Sequence, residues 1–273
     1  MNTIIEEFRS VAEYIGTINK RKVNKVFKNS ECSSQDDGRY DFFMTNTYKE
    51  ANCLAATGYK EGLDQMKSVF QRVTHRENIE MALPTVNVVG YAPHVANAIA
   101  GVPKSMIDKV KVPQKAKVVT ILYDLADSAR VDIRKFVESG KNLLDVIITL
   151  ETLGYRVGLY IMNTSCREEE RAISITMAKH WQQPSNPLKL SYPLIHPSFF
   201  RRHHFRWLET QPDLTESGFS GTYGHPLYKD MNSNDDMVTF LKEKKILKQN
   251  WFYVGRRYAA GNNASDLIKL MGI

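Results

Sequence analysis

The most regular hydrophobic pattern in the chain lies between residues 117 and 162. The apolar run Lys117–Asp124 predicts a buried strand, and a polar turn separates it from a long apolar helical pattern that ends at Gly154. Tyr155–Met162 then predicts a second strand. Together they predict one βαβ unit with Asp124 at the carboxyl end of its first strand, which is where parallel α/β sheets usually bind ligands.

The same alternation of strands and helices continues to the end of the chain. Two further strands are predicted, Ala172–Met177 and Trp251–Val254. Helical patterns lie at Pro187–Leu194, Ser198–Leu208, Asp235–Ile246 and Ala264–Met271. Such alternation indicates a largely parallel sheet that is covered by helices on both faces.

Helical spacing dominates the N-terminal part of the chain. Residues 3–28 and 60–80 both place apolar side chains at intervals of three and four, which predicts helices. Between them, Thr47 followed by Glu50 has the spacing of a capping box at a helix start. Gly58 is the expected end of that helix.

A shorter mixed pattern follows before the βαβ unit. Val86–Val89 predicts a strand, and Pro93–Ala100 predicts a short helix with proline in its first turn. The sequence therefore predicts an N-terminal mainly helical segment, residues 1–112, packed on an α/β domain formed by residues 113–273.

Composition limits the class of protein. The 273 residues are 42% hydrophobic and 25% charged, as in a soluble globular protein. No apolar run approaches eighteen residues, and the acidic start lacks the basic and apolar regions of a secretory signal, so no membrane association is expected. The three cysteines, Cys32, Cys53 and Cys166, form no disulfide or metal-binding pattern, and this predicts a reducing, cytoplasmic location.

Four stretches of the chain resemble a family of uncharacterised bacteriophage proteins. They are Thr47–Gly62, Gly90–Met106, Leu150–Val157 and His196–Arg202. The resemblance spans roughly residues 40–260 and implies a phage protein that acts in the host cytoplasm. It carries no established activity.

The C-terminal half is also similar to the von Willebrand factor A-like (vWA-like) fold, a three-layer Rossmann-like domain. Domains of that family often hold Mg²⁺ in a loop that begins Asp-x-Ser-x-Ser after the first strand. The matching positions here are Asp124, Ala126 and Ser128. The resemblance implies Asp124 and Ser128 as metal ligands in a degenerate site, because alanine supplies no ligand oxygen. Mg²⁺ is the single cofactor implied.

Two basic clusters suggest nucleic acid as an alternative partner, in line with the net charge of +7. Arginine beside aromatic side chains can combine phosphate contact with base stacking. A structural helix with two arginines bonded to acidic loops is the competing interpretation of the second cluster. The residues concerned are Lys20, Arg21, Lys22 and Lys25 in the first cluster, and Arg201, Arg202, His203 and Arg206 in the second.

The sequence contains no motif that matches a known type of catalytic site. Adjacent His203 and His204 point about 100° apart on a helix and are badly placed to chelate one metal. The sequence contains no Gly-x-Ser-x-Gly nucleophile motif.

A further basic region, Lys242–Lys248 with Arg256 and Arg257, follows near the last strand.

The leading hypothesis is therefore a non-catalytic phage protein that uses a degenerate vWA-like domain for protein–protein interaction or assembly, with a phage or host protein as its partner. The alternative is an RNA- or DNA-binding protein that uses Lys20–Lys28 and Arg201–Arg206.

Overall fold

A computed structural model of the chain describes residues 2–27, 40–64, 82–111, 117–128, 131–168, 170–214 and 223–273. Its centre is a five-stranded mixed sheet in the order β1-β7-β6-β5-β8. The strands of this sheet are β1 (Asn2–Phe8), β5 (Val118–Asp124), β6 (Arg156–Arg167), β7 (Glu170–Lys179) and β8 (Trp251–Gly255). A separate antiparallel sheet in the order β2-β4-β3 contains β2 (Ala82–Asn87), β3 (Ala92–Pro93) and β4 (Met106–Lys111).

The predicted βαβ unit is confirmed. β5 and β6 are parallel, and the helix α5 (Ile133–Thr152) crosses between them. Gly154 ends this crossover with φ +85°, a left-handed conformation that favours glycine.

The two neighbours of β5 in the sheet are reached by different connections. The next strand in the chain, β6, lies along one edge of β5, and the last strand, β8, lies along its other edge. β6 turns back through a hairpin into antiparallel β7, whereas β8 pairs with the opposite edge of β5 in parallel register. The order of connection therefore reverses between β5 and β8. In open α/β sheets, such a switch point opens a crevice at the carboxyl ends of the two strands.

Helices cover both faces of the sheet. The helices with defined bounds are, in chain order, α1 (Val11–Lys20), α2 (Tyr40–Phe43), α3 (Tyr48–Thr57), α4 (Val95–Ile99), which lies beside the smaller sheet, α5, α6 (Pro187–Ile195), a π-helix (Phe199–His204), α7 (Phe205–Glu209), α8 (Asn234–Glu243), α9 (Arg256–Gly261) and α10 (Ala264–Leu270). Ile121 and Tyr123 of β5 point into the core formed with α5, whereas Leu122 packs with Met237 and Leu241 of α8. The fold is α/β with a mostly parallel sheet between helical layers, as expected for a Rossmann-like domain.

The prediction that residues 3–28 are helical is wrong at both ends: α1 stops at Lys20, only a 3₁₀ turn follows at Lys25–Phe27, and Lys28 lies outside the described residues. Asn2–Phe8 is a strand that pairs in parallel with β7, and α1 begins only at Val11. A short apolar run fits either period, so local spacing could not separate the two states. The carboxylate of Glu6 secures β1, since it accepts hydrogen bonds from Arg21 at 2.7 Å and from the Trp207 indole at 2.7 Å.

The capping prediction is confirmed. The Thr47 hydroxyl accepts a hydrogen bond from the Glu50 amide at 3.0 Å, and Gly58 ends α3 with φ +87°. Of the helix predicted over 60–80, residues 60–64 are helical and the remainder lies outside the described residues.

The prediction for residues 86–100 needs two corrections. β2 ends at Asn87, so the valines that follow it are not part of the strand, and Pro93 belongs to β3. α4 begins after His94, whose Nδ1 accepts a hydrogen bond from the Asn97 amide at 3.3 Å. The imidazole, not proline, therefore marks the helix start. The domain boundary near residue 112 stays a prediction, although β1 contributes an N-terminal strand to the main sheet.

Gly140 allows α5 to approach the segment that ends α6. A Cβ atom at Gly140 would lie 2.7 Å from the backbone oxygen of Leu194 and would overlap the Ile195 side chain. Gly140→Ala is expected to destabilise the protein by about 1–3 kcal/mol, because the backbone contact cannot relax. Gly16 is the matched control, since a Cβ there meets no atom within 4 Å. Gly16→Ala should stabilise by about 0.5–1 kcal/mol through helix propensity. Urea unfolding of both variants checks the contrast, and equal effects would contradict the close packing.

Candidate functional site

The loop after β5 places two carboxylates at the switch point. The Asp124 Oδ1 atom accepts a hydrogen bond from the Ala126 amide at 3.1 Å, which turns the chain away from the strand. Leu125 still donates its amide to the Met162 carbonyl at 2.9 Å, so the turn is held against β6. Asp127 follows one turn later, and both carboxylates are buried.

Asp124 is held in its protonated form over much of the acidic pH range. The Tyr253 hydroxyl donates to Asp124 Oδ2 at 3.3 Å. Burial raises the pKa of Asp124 to about 7, an effect that the hydrogen bonds from Ala126 and Tyr253 and the charge of Arg256 only partly oppose. At neutral pH the carboxyl group is therefore a mixture of neutral and ionised forms.

Asp127 is the counterion of two arginines. It forms ion pairs with the guanidinium of Arg256 and with Arg257 Nε, the latter at 3.7 Å. The Tyr228 hydroxyl also donates to Asp127 Oδ1, at 2.8 Å. Two positive groups thus share one carboxylate, and the local charge is positive whenever Asp124 is protonated.

The guanidinium of Arg256 carries hydrogen-bond donors that lack an acceptor among the described residues. Its side chain is 2% exposed and its guanidinium lies 4.5 Å from the centre of the Phe136 ring. Within the described part of the chain, Nε and Nη1 of Arg256 have no hydrogen-bond partner. A buried donor left without an acceptor costs about 1–3 kcal/mol of folding free energy. A ligand that supplied acceptors to these two nitrogens would recover that cost.

A cleft of about 420 Å³ lies between the carboxyl ends of β5 and β8, and Asp124, Tyr228, Tyr253, Arg256 and Arg257 line it, whereas Asp127 lies behind the two arginines. We call it the switch-point cleft. Its volume lies in the range typical of small-molecule sites. The lining residues are Asp124, Ala126, Tyr228, Met231, Asn232, Ser233, Asn234, Met237, Tyr253, Gly255, Arg256, Arg257, Tyr258 and Asn262.

A second cleft, of about 530 Å³, lies on the other side of Asp127. Its walls are mainly aromatic and include Phe42, Phe200 and Phe205. Although it is larger, it does not open between the two parallel strands at the point where their connection reverses, and it lacks a buried donor without a partner among the described residues that line it. The smaller cleft is therefore the better candidate site.

The residues present do not fit Mg²⁺. Both oxygens of Asp124 already accept hydrogen bonds, and Ala126 offers no side-chain oxygen. Two guanidinium groups beside Asp127 would also repel a dication. In the described ranges no group of three or more His, Cys, Asp or Glu side chains is placed to hold a metal. The interpretation of Asp124 and Ser128 as ligands thus has no geometric support.

The expected basic surface at Arg201–Arg206 is wrong, because this segment is inside the protein. Arg201, Arg202 and His203 are all at most 2% exposed. Arg201 donates to the Phe42 carbonyl at 2.7 Å, and Arg202 donates to the Thr45 hydroxyl at 3.0 Å. These guanidinium groups donate to oxygens of the protein itself, so the segment presents no basic surface to phosphate. The burial supports the competing interpretation, a structural helix, but these acceptors are backbone and hydroxyl oxygens and not the carboxylates of acidic loops.

The two adjacent histidines point in different directions, as predicted. His203 Nε2 contacts Asn52 Oδ1 at 3.1 Å, whereas His204 lies between the hydroxyls of Ser165 and Ser174 at 3.1 and 3.0 Å. Arg206 is partly buried and lies 3.6 Å from the buried carboxylate of Glu209. The histidine contacts tie the π-helix to α3 and the central sheet, whereas the Arg206–Glu209 pair lies within α7.

The first basic cluster remains on the surface. Lys20, Lys22 and Lys25 are exposed near the end of α1. Arg21 is instead bound to Glu6, which leaves three of the four predicted nucleic-acid contacts in solvent. Nucleic-acid binding by these lysines stays a prediction.

The arginines and tyrosines of the switch-point cleft are not among the site residues predicted from the sequence. Arg256 and Arg257 were grouped with a general basic region, although they directly follow a correctly predicted strand. A basic pair at the carboxyl end of a parallel strand was the signal that could have found them. Tyr228 and Tyr253 had no local signal, because only the fold brings them to Asp127 and Asp124.

Comparisons with known proteins give one match. A family model described as "Domain of unknown function (DUF7192)" matches residues 1–258. No curated protein and no solved structure matches the chain. Among the described residues, no helix is both long and apolar enough to cross a membrane.

Proposed function

The chain belongs to the DUF7192 family, and from the geometry of its switch-point cleft we propose that it is a non-catalytic protein that binds a small ligand between β5 and β8. The observation that carries the proposal is the cleft itself, with a buried arginine at its base and polar side chains along its walls. This position is the usual ligand site of open α/β sheets.

The polar groups of the cleft favour binding over catalysis. Asp127 is neutralised by Arg256 and Arg257, and Asp124 is enclosed by hydrogen bonds from Ala126 and Tyr253. Neither carboxylate is paired with a serine, cysteine or lysine nucleophile in the cleft lining. The arrangement therefore supports recognition of a ligand.

A vWA-like relationship remains part of the proposal. It is supported by the placement of Asp124 at the end of a central parallel strand and by a loop that carries Ser128 four residues later. Phage origin and a cytoplasmic location likewise stay predictions from the sequence.

A panel of small molecules tests the proposal. Nucleotides, sugar phosphates, carboxylic acids and neutral sugars are compared by thermal shift, since a ligand at one hundred times its Kd stabilises the fold by about 2.7 kcal/mol. Hydrogen exchange then locates the site, with protection expected at residues 124–128, 228–237 and 253–262. Asn232→Trp, which places an indole at an exposed position of the cleft wall, should abolish the shift.

Gln249→Trp is the matched control for this experiment. Gln249 is also exposed, but it lines a different cleft, near Trp181. The Gln249→Trp variant should therefore bind the ligand with the same affinity as the wild type. Protection confined to other segments, or unchanged binding by Asn232→Trp, would reject the switch-point cleft as the ligand site.

Protein–protein interaction is the second candidate. It is favoured by apolar side chains that are exposed in the connection after β2 and on α4, among them Val89 at 76% and Ile99 at 82%. Exposed apolar side chains that cluster in this way fit a protein partner with an apolar face. A copurifying protein that protects residues 86–102, and leaves the cleft unprotected, would favour this candidate.

A further inference from the structure

We infer that the ligand of the switch-point cleft carries a phosphate-type oxyanion, which Arg256 and Arg257 bind. This inference rests on the proposed function and narrows it to a class of ligand. It follows from the hydrogen-bond donors and charges in the cleft and from the helix end that faces them.

The first step is the buried guanidinium of Arg256. The contact with Asp127 engages one of its nitrogens, Nη2. Nε and Nη1 have no acceptor in the described part of the chain, and the side chain is almost fully removed from solvent. Guanidinium donors in a fixed planar fork match the oxygens of a phosphate or carboxylate.

The second step is the exposed arginine beside it, Arg257. The Arg257 side chain is 58% exposed, and its guanidinium lies 4.2 Å from the centre of the Tyr228 ring at the cleft wall. It can reach a bound group without leaving Asp127 uncompensated, because Arg256 stays paired with that carboxylate.

The charges in and next to the cleft also favour an anion. Asp127 balances one of the two guanidinium groups, and Asp124 is hydrogen-bonded by the Tyr253 hydroxyl. Burial raises the pKa of Asp124 to about 7, so this carboxyl carries less than a full negative charge near neutrality. An incoming oxyanion thus meets a net positive environment.

The opposite wall is the start of α8. Asn232–Asn234 line the cleft, and this helix is ten residues long, so its dipole places partial positive charge there. Asp235 and Asp236 lie in the same first turn, but they are exposed and do not line the cleft. The helix end therefore complements the two arginines across the cleft.

The test uses inorganic phosphate and pyrophosphate as probes. Calorimetric titration of the full chain, at a fixed ionic strength set with chloride, is expected to give saturable binding to one site. Arg257→Gln should weaken the Kd about tenfold or more, because it removes a charged donor. Arg9→Gln is the matched control and should leave the Kd unchanged, since Arg9 is exposed and follows β1, a strand antiparallel to β5.

Arg256→Lys is the second variant. It keeps the positive charge beside Asp127 but removes the planar fork, and it should also weaken the Kd. No saturable binding by the wild type, or the same Kd in Arg257→Gln as in Arg9→Gln, would overturn the inference. If a neutral compound of the panel still protects the cleft in that case, the proposed function stands and only the oxyanion is wrong.

Discussion

Lowering the pH from 7 to 5 is expected to destabilise the folded protein by about 3–4 kcal/mol. This is the balance between three buried imidazoles, which must remain neutral in the fold, and buried Asp124, which keeps its proton there. Burial lowers the pKa of His196 to about 4 and the pKa values of His203 and His204 to about 3. In the unfolded chain all three have a pKa near 6.5, and each contributes about 1.4 kcal/mol per pH unit. Their stabilisation is present above pH 6.5 and is lost as the pH falls toward these lower values.

Asp124 works in the opposite direction over the same range. Its pKa of about 7 in the fold exceeds the value of 3.8 expected for the unfolded chain. The folded state therefore keeps one proton that the unfolded chain releases, and stability from this group falls as the pH rises from 4 to 7. On unfolding at pH 5 the three histidines take up about three protons, and Asp124 releases one. The net uptake is therefore about two protons.

Two variants separate these contributions, measured as urea-unfolding free energies from pH 5 to 7. His204→Asn should lower the net uptake to about one proton, since His204 lies between Ser165 and Ser174 with both ring nitrogens engaged. Asp124→Asn should raise the net uptake to about three. A pH slope that His204→Asn does not change would show that this imidazole is not held neutral in the fold.

Replacing Arg202 with methionine is expected to cost about 3–5 kcal/mol of folding free energy, the loss typical when one partner of a buried charged network is removed. The Arg202 guanidinium donates to the Thr45 hydroxyl and the Thr45 carbonyl, each at 3.0 Å, and to the Asn46 carbonyl at 3.3 Å. It also stacks 4.0 Å from the centre of the Phe43 ring. Methionine would leave these oxygens without their donor.

The measurement is urea unfolding combined with hydrogen exchange, which should speed up most between Tyr40 and Asn46. Arg134→Met is the matched control, because the Arg134 side chain is 93% exposed and should contribute less than about 0.5 kcal/mol. Similar stability of the two variants would mean that Arg202 faces solvent, and a nucleic-acid surface on the π-helix would again be the better interpretation.

The contrast between Arg202 and Arg257 shows how far the sequence could go. Both are arginines beside aromatic residues, and local spacing treats them alike. Arg202 lies in a π-helix that is packed on all sides, whereas Arg257 follows an edge strand and faces solvent. Burial of a charge depends on what packs against its helix from distant parts of the chain, and a local pattern does not contain that information.

The sequence by itself determined the elements whose signals are local. The βαβ unit, the Thr47–Glu50 cap and the glycine ends at Gly58 and Gly154 follow from periodicity, from capping hydrogen bonds within three residues and from backbone conformation. These features depend on neighbours along the chain. The position of Asp124 at a strand end was fixed in the same way.

The tertiary structure alone decided what depends on distant residues. It made Asn2–Phe8 a strand by pairing it with β7, and it enclosed the arginines and histidines of the π-helix. It also brought Arg256 and Tyr228 to Asp127, more than a hundred residues earlier in the chain. The switch-point cleft is formed by hydrogen bonds and charge compensation between remote segments. Such contacts leave no periodic pattern in the sequence.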